Sequence, residues 1–131
     1  MYEMISAAPH PRTRKIKKVN WRCEIVTEVK ITTGEKSATV FIKGDIDHHT
    51  AKEIREQIDS YLQEQAVSVL NLDFSGVQFM DSSGIGLIMG RYRLMKMLNG
   101  TIKVINIPEH LKRLIKISGL LGLGVIEKGE V

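Results

Sequence analysis

The sequence predicts one α/β domain, with a mixed and mostly parallel β-sheet and three or more helices packed on it. Short apolar segments rich in β-branched residues alternate with longer segments whose apolar residues recur at helical spacing. Strand–helix alternation after an opening hairpin implies right-handed crossovers and parallel neighbours. The 131 residues, 43% of them hydrophobic, suit a single domain of ordinary composition.

The predicted order of elements is β-β-α-β-α-β-α-β. Residues 23–31 and 38–43 are the first two strands, and Gly34 in the turn between them can take a positive φ. Thr50 begins the first helix, because Glu53 stands three residues later at the capping-box spacing. The buried face of this helix is predicted from apolar residues at helical spacing, which are Ala51, Ile54, Ile58, Tyr61 and Leu62.

The middle of the chain supplies another strand and helix. Residues 67–74 are nearly all apolar, as in a strand covered on both faces. A loop over residues 75–81 leads to the second helix, residues 83–98, which Gly100 is predicted to end in the left-handed conformation. The predicted core face of that helix consists of Ile85, Ile88, Met89, Tyr92 and Met95.

The last elements are shorter. Residues 102–105 form a strand, Pro108 suits the first position of a third helix, and Gly119 ends that helix. Residues 125–126 make a final short edge. The buried face of the third helix is predicted to contain Leu111, Leu114 and Ile115.

The formal net charge of +4 is carried by the first 20 residues. That segment holds five basic residues and one acid, so residues 21–131 are neutral. We therefore predict a basic, disordered leader over residues 1–20 and a folded domain over residues 21–131. Two interpretations of the leader stay open, which are an arm that contacts phosphates or an acidic partner, and a segment without a role.

Composition excludes several classes of protein. A single cysteine, Cys23, excludes an internal disulfide framework and a zinc site built on thiolates. The longest apolar runs fall far short of the length, about 20 residues, that spans a bilayer. The first 20 residues also lack the apolar stretch of a signal peptide. The chain is therefore expected to be cytoplasmic and monomeric when free, with neither a membrane nor a nucleic acid as partner.

Two polar loops are predicted at neighbouring strand ends, residues 44–50 and residues 80–86. Functional loops of largely parallel sheets gather at the carboxyl ends of the strands. Ser82 and Ser83 stand where a helix is capped, and the free N–H groups there tolerate an anion.

Glycine is a poor helix former, so Gly84 and Gly86 at the start of the second helix require a reason. Without a side chain, these positions allow another backbone to approach closely. Two interpretations stay open. The helix packs tightly on its own sheet, or a partner protein docks there.

Catalysis by this chain is not expected. Ser82 and Ser83 lack the glycine two residues before them that a nucleophile elbow requires. No glycine-rich phosphate loop with a lysine occurs, and the paired acids of a phospho-aspartate receiver are missing after the first strand. His48 and His49 are adjacent and have no third ligand at metal spacing. We therefore expect neither a metal nor a cofactor.

Two segments carry a resemblance to a known family. They are residues 44–51, GDIDHHTA, and residues 79–92, FMDSSGIGLIMGRY, with a weaker third match over residues 112–120. On these segments the chain resembles the STAS family over about residues 24–127, and within it the anti-sigma factor antagonists of sporulation.

The resemblance implies a switch protein. Members of this branch bind an anti-sigma factor that is also a serine kinase, and so release a sigma factor. The kinase phosphorylates the first serine after the aspartate, here Ser82, which switches binding off, and a serine phosphatase restores the active form. The partner-binding surface that the resemblance implies consists of Gly44, Asp45, Asp47, His48, His49, Thr50, Asp81, Ser82, Ser83, Gly84 and Gly86.

Two other functions stay open for such a domain, a scaffold in a multiprotein signalling complex and a nucleotide-binding module. The lack of a phosphate loop with a lysine disfavours the nucleotide-binding module. Titration with the candidate kinase separates the switch from the scaffold.

Overall fold

A five-stranded sheet with the order β1-β2-β3-β4-β5 carries three α-helices in the computed structural model, which describes residues 12–19 and 24–127. The strands are Arg12–Val19 (β1), Glu24–Gly34 (β2), Ser37–Ile46 (β3), Val69–Met80 (β4) and Thr101–Ile105 (β5). The helices are His48–Glu64 (α1), Ser82–Met97 (α2) and Glu109–Ile117 (α3), and a short 3₁₀ helix, Leu120–Leu123, follows. The predicted α/β class is confirmed.

The sheet is mixed, as predicted. β1, β2 and β3 are antiparallel neighbours, whereas β3, β4 and β5 run parallel because α1 and α2 cross over between them. The final edge expected at residues 125–126 is a single parallel bridge between Val104 and Ile126. Antiparallel strand pairs make up a larger part of the sheet than predicted, because β1 adds one such pair.

The prediction of a disordered leader over residues 1–20 is wrong for Arg12–Val19, which pair with β2 from Arg12 opposite Ile31 to Val19 opposite Glu24. Arg12 also forms an ion pair with Glu64 of α1. Lysines and arginines interrupt the alternation of apolar and polar residues in this segment. The sequence pattern therefore did not indicate the strand that pairs at the edge of the sheet. Residues 1–11, and the predicted boundary between residues 20 and 21, lie outside the described residues.

Two turns use a different residue from the predicted glycine. Gly34 still pairs with Ser37, so the hairpin turn has two residues, and Lys36 takes the positive φ of 57°. After α2, Asn99 adopts φ 60°, while Gly100 donates its N–H to the carbonyl of Met95 at 2.7 Å. Asparagine is the residue that tolerates this conformation best after glycine.

β4 is longer than predicted. The loop expected over residues 75–81 continues the strand to Met80, because Gly44, Asp45 and Ile46 of β3 pair with Val77, Phe79 and Met80. α2 consequently begins at Ser82 and turns a slightly different face to the core. The buried residues of α2 are Gly84, Leu87, Ile88, Arg91 and Met95, whereas Ile85, Met89 and Tyr92 are only partly buried.

The core lies between the sheet and the helices. The predicted apolar face of α1 is confirmed, since all five of its residues are buried. In α3, Leu111 and Ile115 are buried and Leu114 is partly buried, and Pro108 is the residue immediately before the helix rather than its first. Gly119 ends this helix region with φ 87°. No helix within the described residues is long and apolar enough to cross a membrane.

Candidate functional site

The two polar loops meet at one edge of the sheet, as predicted. β3 and β4 are parallel neighbours, and their last residues, Ile46 and Met80, pair with each other. The N–H of Asp81 then donates to the carbonyl of Ile46 at 3.2 Å. The starts of α1 and α2, which follow these strands directly, therefore lie side by side.

The start of α1 is closed by its own hydrogen bonds. Oδ1 of Asp47 accepts the N–H groups of His49 at 2.9 Å and Thr50 at 3.0 Å, and Oγ1 of Thr50 accepts the N–H of Asp47 at 3.0 Å. This reciprocal pair is a capping box. The predicted box of Thr50 and Glu53 is therefore wrong, because the box lies three residues earlier, at Asp47 and Thr50. Asp47 and Thr50 are both buried, which makes this helix start a structural element.

A buried threonine on β2 fixes the loop before α1. Gly44 has φ 116° at a register shift, and the regular ladder between β2 and β3 stops at Lys43. Beyond it, Oγ1 of Thr27 donates to the carbonyl of Asp45 at 2.8 Å and accepts the N–H of Asp45 at 3.2 Å. Oγ1 of Thr50 donates to the same carbonyl at 2.9 Å. Thr27 and Thr50 thus hold the loop backbone from two sides, and no pattern in the sequence indicated the role of Thr27.

The start of α2 is open. Asp81 caps the helix by accepting the N–H of Ser83 at 2.8 Å. Ser82 is exposed, and its hydroxyl has no hydrogen-bond partner among residues 12–19 and 24–127. Ser83 is half-buried. Of the two serines, Ser82 is therefore the more exposed.

Gly84 and Gly86 lie in different surroundings. An ideal Cβ on Gly84 would lie 2.2 Å from Cγ and 2.4 Å from Sδ of Met80, so Gly84 lets α2 pack closely on its own sheet. A Cβ on Gly86 would meet nothing within 4 Å, because this position faces open space. The tight-packing interpretation therefore holds for Gly84, and the docking interpretation is left for Gly86.

Burial divides the predicted partner-binding residues into three groups. The exposed residues are His48, His49, Ser82 and Gly86. The half-buried residues are Asp45, Asp81 and Ser83. The buried residues are Gly44, Asp47, Thr50 and Gly84, and these can position the surface but cannot contact a partner.

Three residues that lie beside the predicted ones were not singled out from the sequence. A cleft of about 220 Å³ between α1 and α2 is lined by His48, Ser83 and Gly86, and also by Lys52 and Arg55. The positions of the two basic residues, four and seven after His48, could have indicated one helix face. Phe79 is 50% exposed and pairs with Asp45 at the strand end. It was missed because residues 75–81 were predicted as a loop.

An ion pair joins the two helices behind this cleft. Nε of Arg91 lies 2.9 Å from Oδ1 of Asp59, although the direction of the N–H leaves the contact outside hydrogen-bond geometry. Burial raises the pKa of Asp59 despite the nearby Arg91 and Arg55, and burial lowers the pKa of Arg91 despite Asp59. Loss of hydration thus outweighs mutual attraction, so the pair is expected to contribute little net stability.

Within the part of the chain that the structure describes, no group of three or more His, Cys, Asp or Glu side chains could hold a metal ion. What the arrangement offers is an exposed hydroxyl, a cleft and an exposed aromatic ring on one rigid edge.

Comparisons with known proteins identify the family. The STAS domain model matches residues 27–128. An anti-sigma F factor antagonist of Paenibacillus polymyxa is 37% identical over 92 residues, which cover 70% of this chain and 79% of the relative. An anti-sigma-B factor antagonist of Bacillus subtilis is 35% identical over 92 residues, which cover 70% of this chain and 83% of the relative.

Solved structures show a likeness in fold as well. The anti-sigma factor antagonist SpoIIAA in its unphosphorylated form matches with a TM-score of 0.67 and 26% identity, over 76% of this chain and 85% of SpoIIAA. Its phosphorylated form matches with a TM-score of 0.61 and 26% identity, over 76% and 88%. The chain therefore belongs to the STAS domain family, and the resemblance inferred from its sequence is confirmed.

Proposed function

We propose that this chain is an anti-sigma factor antagonist, whose unphosphorylated form binds an anti-sigma factor and frees a sigma factor. Relatives at 37% and 35% identity carry that name, one for sigma F and one for sigma-B. In this proposal the anti-sigma factor is also a serine kinase, and a serine phosphatase restores the active form. The chain works in the cytoplasm as a regulator without catalytic activity of its own.

The observation that carries the proposal is the contrast at the start of α2. Ser82 is exposed, whereas Ser83 is half-buried and donates its N–H to Asp81. SpoIIAA has a similar fold and is known in a phosphorylated form, which supports regulation by phosphorylation.

Docking in this proposal uses the exposed residues around Ser82. His48, His49 and Gly86 lie on the two helix starts, and Phe79 lies at the adjoining strand end. Aromatic side chains are frequent among the few residues that dominate binding energy at protein interfaces. Phe79 is therefore assigned as the apolar anchor of the docking surface.

Phosphorylation switches docking off by charge and bulk. A phosphate brings a charge of about −1.5 to −2 and three strong acceptors. The fold is expected to change little, because the N-terminus of a helix accommodates an anion. The carboxylates of Asp45 and Asp81 stand in the same two loops, so the added charge concentrates a negative field on the docking surface. A penalty of about 3 kcal/mol weakens binding more than a hundredfold.

The test compares wild type with Ser82→Ala and with the matched control Ser83→Ala. Each is incubated with ATP and the anti-sigma factor of the same organism, the phosphate is mapped by mass spectrometry, and binding is measured by calorimetry. Wild type and Ser83→Ala are expected to carry phosphate on Ser82. Ser82→Ala is expected to bind without being modified, and Ser82→Asp to bind poorly. Phosphate on Ser83 of the wild type, or undiminished binding after modification, contradicts the proposal.

A further inference from the structure

The cleft between the first turns of α1 and α2 carries positive charge. His48, Lys52 and Arg55 line it, and they recur at the spacing that places side chains on one face of a helix. None of the described side chains that line the cleft is acidic. Glu53 and Glu56 of the same helix are exposed but are not part of the lining.

The nearest acid of α1 on this side is already engaged. Asp59 lies one turn beyond Arg55 and forms the ion pair with the buried Arg91. The charges of that pair cancel, so Lys52 and Arg55 leave the cleft with about two positive charges. The N-terminus of α2 contributes Ser83 and Gly86 to the lining, and the carboxylate of Asp81 caps the positive end of its helix dipole, so the positive charge of the cleft comes from Lys52 and Arg55.

We propose that this cleft receives acidic side chains of the anti-sigma factor, which Lys52 and Arg55 contact as carboxylates. The inference rests on the proposed function and names the chemistry of the partner surface. Charge complementarity favours it, because an exposed basic cleft beside Ser82 attracts carboxylates and repels basic surfaces. An anionic segment seated in the cleft would also cover Gly86, where the helix leaves open space.

The positive charge of this cleft also links docking of the partner to phosphorylation of Ser82. A phosphate on Ser82 stands next to Ser83, which lines the cleft, and its charge of about −1.5 to −2 nearly equals that of Lys52 and Arg55 with opposite sign. The phosphate therefore competes with the carboxylates of the partner for the same positive charge. Loss of docking then follows from neutralisation of the cleft together with repulsion.

The experiment uses the double variant Lys52→Gln/Arg55→Gln and the matched control Lys30→Gln/Lys36→Gln, which removes the same charge from exposed positions on β2 and the hairpin turn. Each is titrated with the anti-sigma factor at low and at physiological salt. The cleft variant is expected to bind at least tenfold more weakly at low salt, with a flatter salt dependence. The control is expected to stay within twofold of wild type.

Several outcomes separate this inference from the proposed function. Wild-type affinity of the cleft variant, with phosphorylation of Ser82 still abolishing binding, overturns the cleft inference alone. An equal loss in the control variant overturns it too, because general attraction then explains the effect. Inorganic phosphate is the second probe. If it perturbs the NMR signals of His48 and Ser83 while the cleft variant docks like wild type, the cleft is a phosphate site and the inference is wrong. Wild type that does not bind the anti-sigma factor overturns both.

Discussion

The starts of α1 and α2 are neighbours with nearly the same chemistry, yet only the start of α2 is open. Each follows a parallel strand and is capped by an aspartate, Asp47 or Asp81. At α1 the carboxylate accepts two backbone N–H groups, Thr50 reciprocates, and both residues are buried. At α2 the carboxylate accepts the N–H of Ser83, and Ser82 beside it is exposed.

A capping signal by itself therefore does not distinguish a structural helix start from a functional one. The polar side chains at the closed start of α1 hydrogen-bond to the nearby backbone. They thereby hold the loop that precedes the helix in place. The open start of α2 keeps a hydroxyl and a side-chain-free position, Gly86, available to another molecule. Function is therefore predicted where polar groups lack internal partners.

The largest expected effect is on docking at the open start. Gly86→Leu places a bulky side chain where no atom lies within 4 Å of a Cβ, so the fold is expected to persist. Helix propensity even favours the variant by about 0.5–1 kcal/mol. Binding to the anti-sigma factor, measured by calorimetry, is expected to weaken about a hundredfold, or about 2.7 kcal/mol.

The control for this variant is Gly122→Leu, since Gly122 also faces open space but lies in the 3₁₀ helix after α3. It is expected to bind like wild type. An unfolded Gly86→Leu protein, detected by circular dichroism, would mean that Gly86 packs within the domain after all. Equal binding by Gly86→Leu and wild type would remove α2 from the docking surface.

The next effect contrasts the two caps in stability. Asp47→Ala leaves the N–H of His49 and the buried N–H of Thr50 without their acceptor, so the free energy of unfolding is expected to fall by about 2 kcal/mol. Asp81→Ala is expected to cost about 1 kcal/mol or less, because water reaches the half-buried Ser83. Urea denaturation measures both. Equal losses would show that the two helix starts are equally closed.

Much of this fold could be predicted because it depends on periodic burial. The apolar face of α1 and the pairing of the two loops follow from helical spacing and from the rule for strand ends. The family could be identified because residues 44–51 and 79–92 combine capping aspartates, glycines and a polar strand end in one pattern.

The rest depended on contacts between distant residues. β1 was hidden because its basic residues conceal alternation, and its pairing with β2 is a tertiary fact. Arg91 was not expected in the core, since the acid that it pairs with, Asp59, lies on another helix. The division between Gly84 and Gly86 required knowing where the side chain of Met80 lies.

Alanine substitutions test the difference between the packed Gly84 and the open Gly86, and they are expected to have smaller effects than the variants above. Gly84→Ala forces a Cβ against Cγ and Sδ of Met80, at 2.2 and 2.4 Å before relaxation, and overpacking of this kind costs about 1–3 kcal/mol. The gain in helix propensity offsets up to about 1 kcal/mol, so a net loss of about 1 kcal/mol in the free energy of unfolding is expected.

Gly86→Ala has only the gain, and the free energy of unfolding is expected to rise by about 0.5–1 kcal/mol. Thermal denaturation of both variants reads the sign directly. Adding Met80→Ala removes the clash, so in that background Gly84→Ala is expected to keep only the gain in helix propensity, a rise of about 0.5–1 kcal/mol. If both alanine variants shift stability in the same direction, the distinction between a packed and an open glycine is wrong.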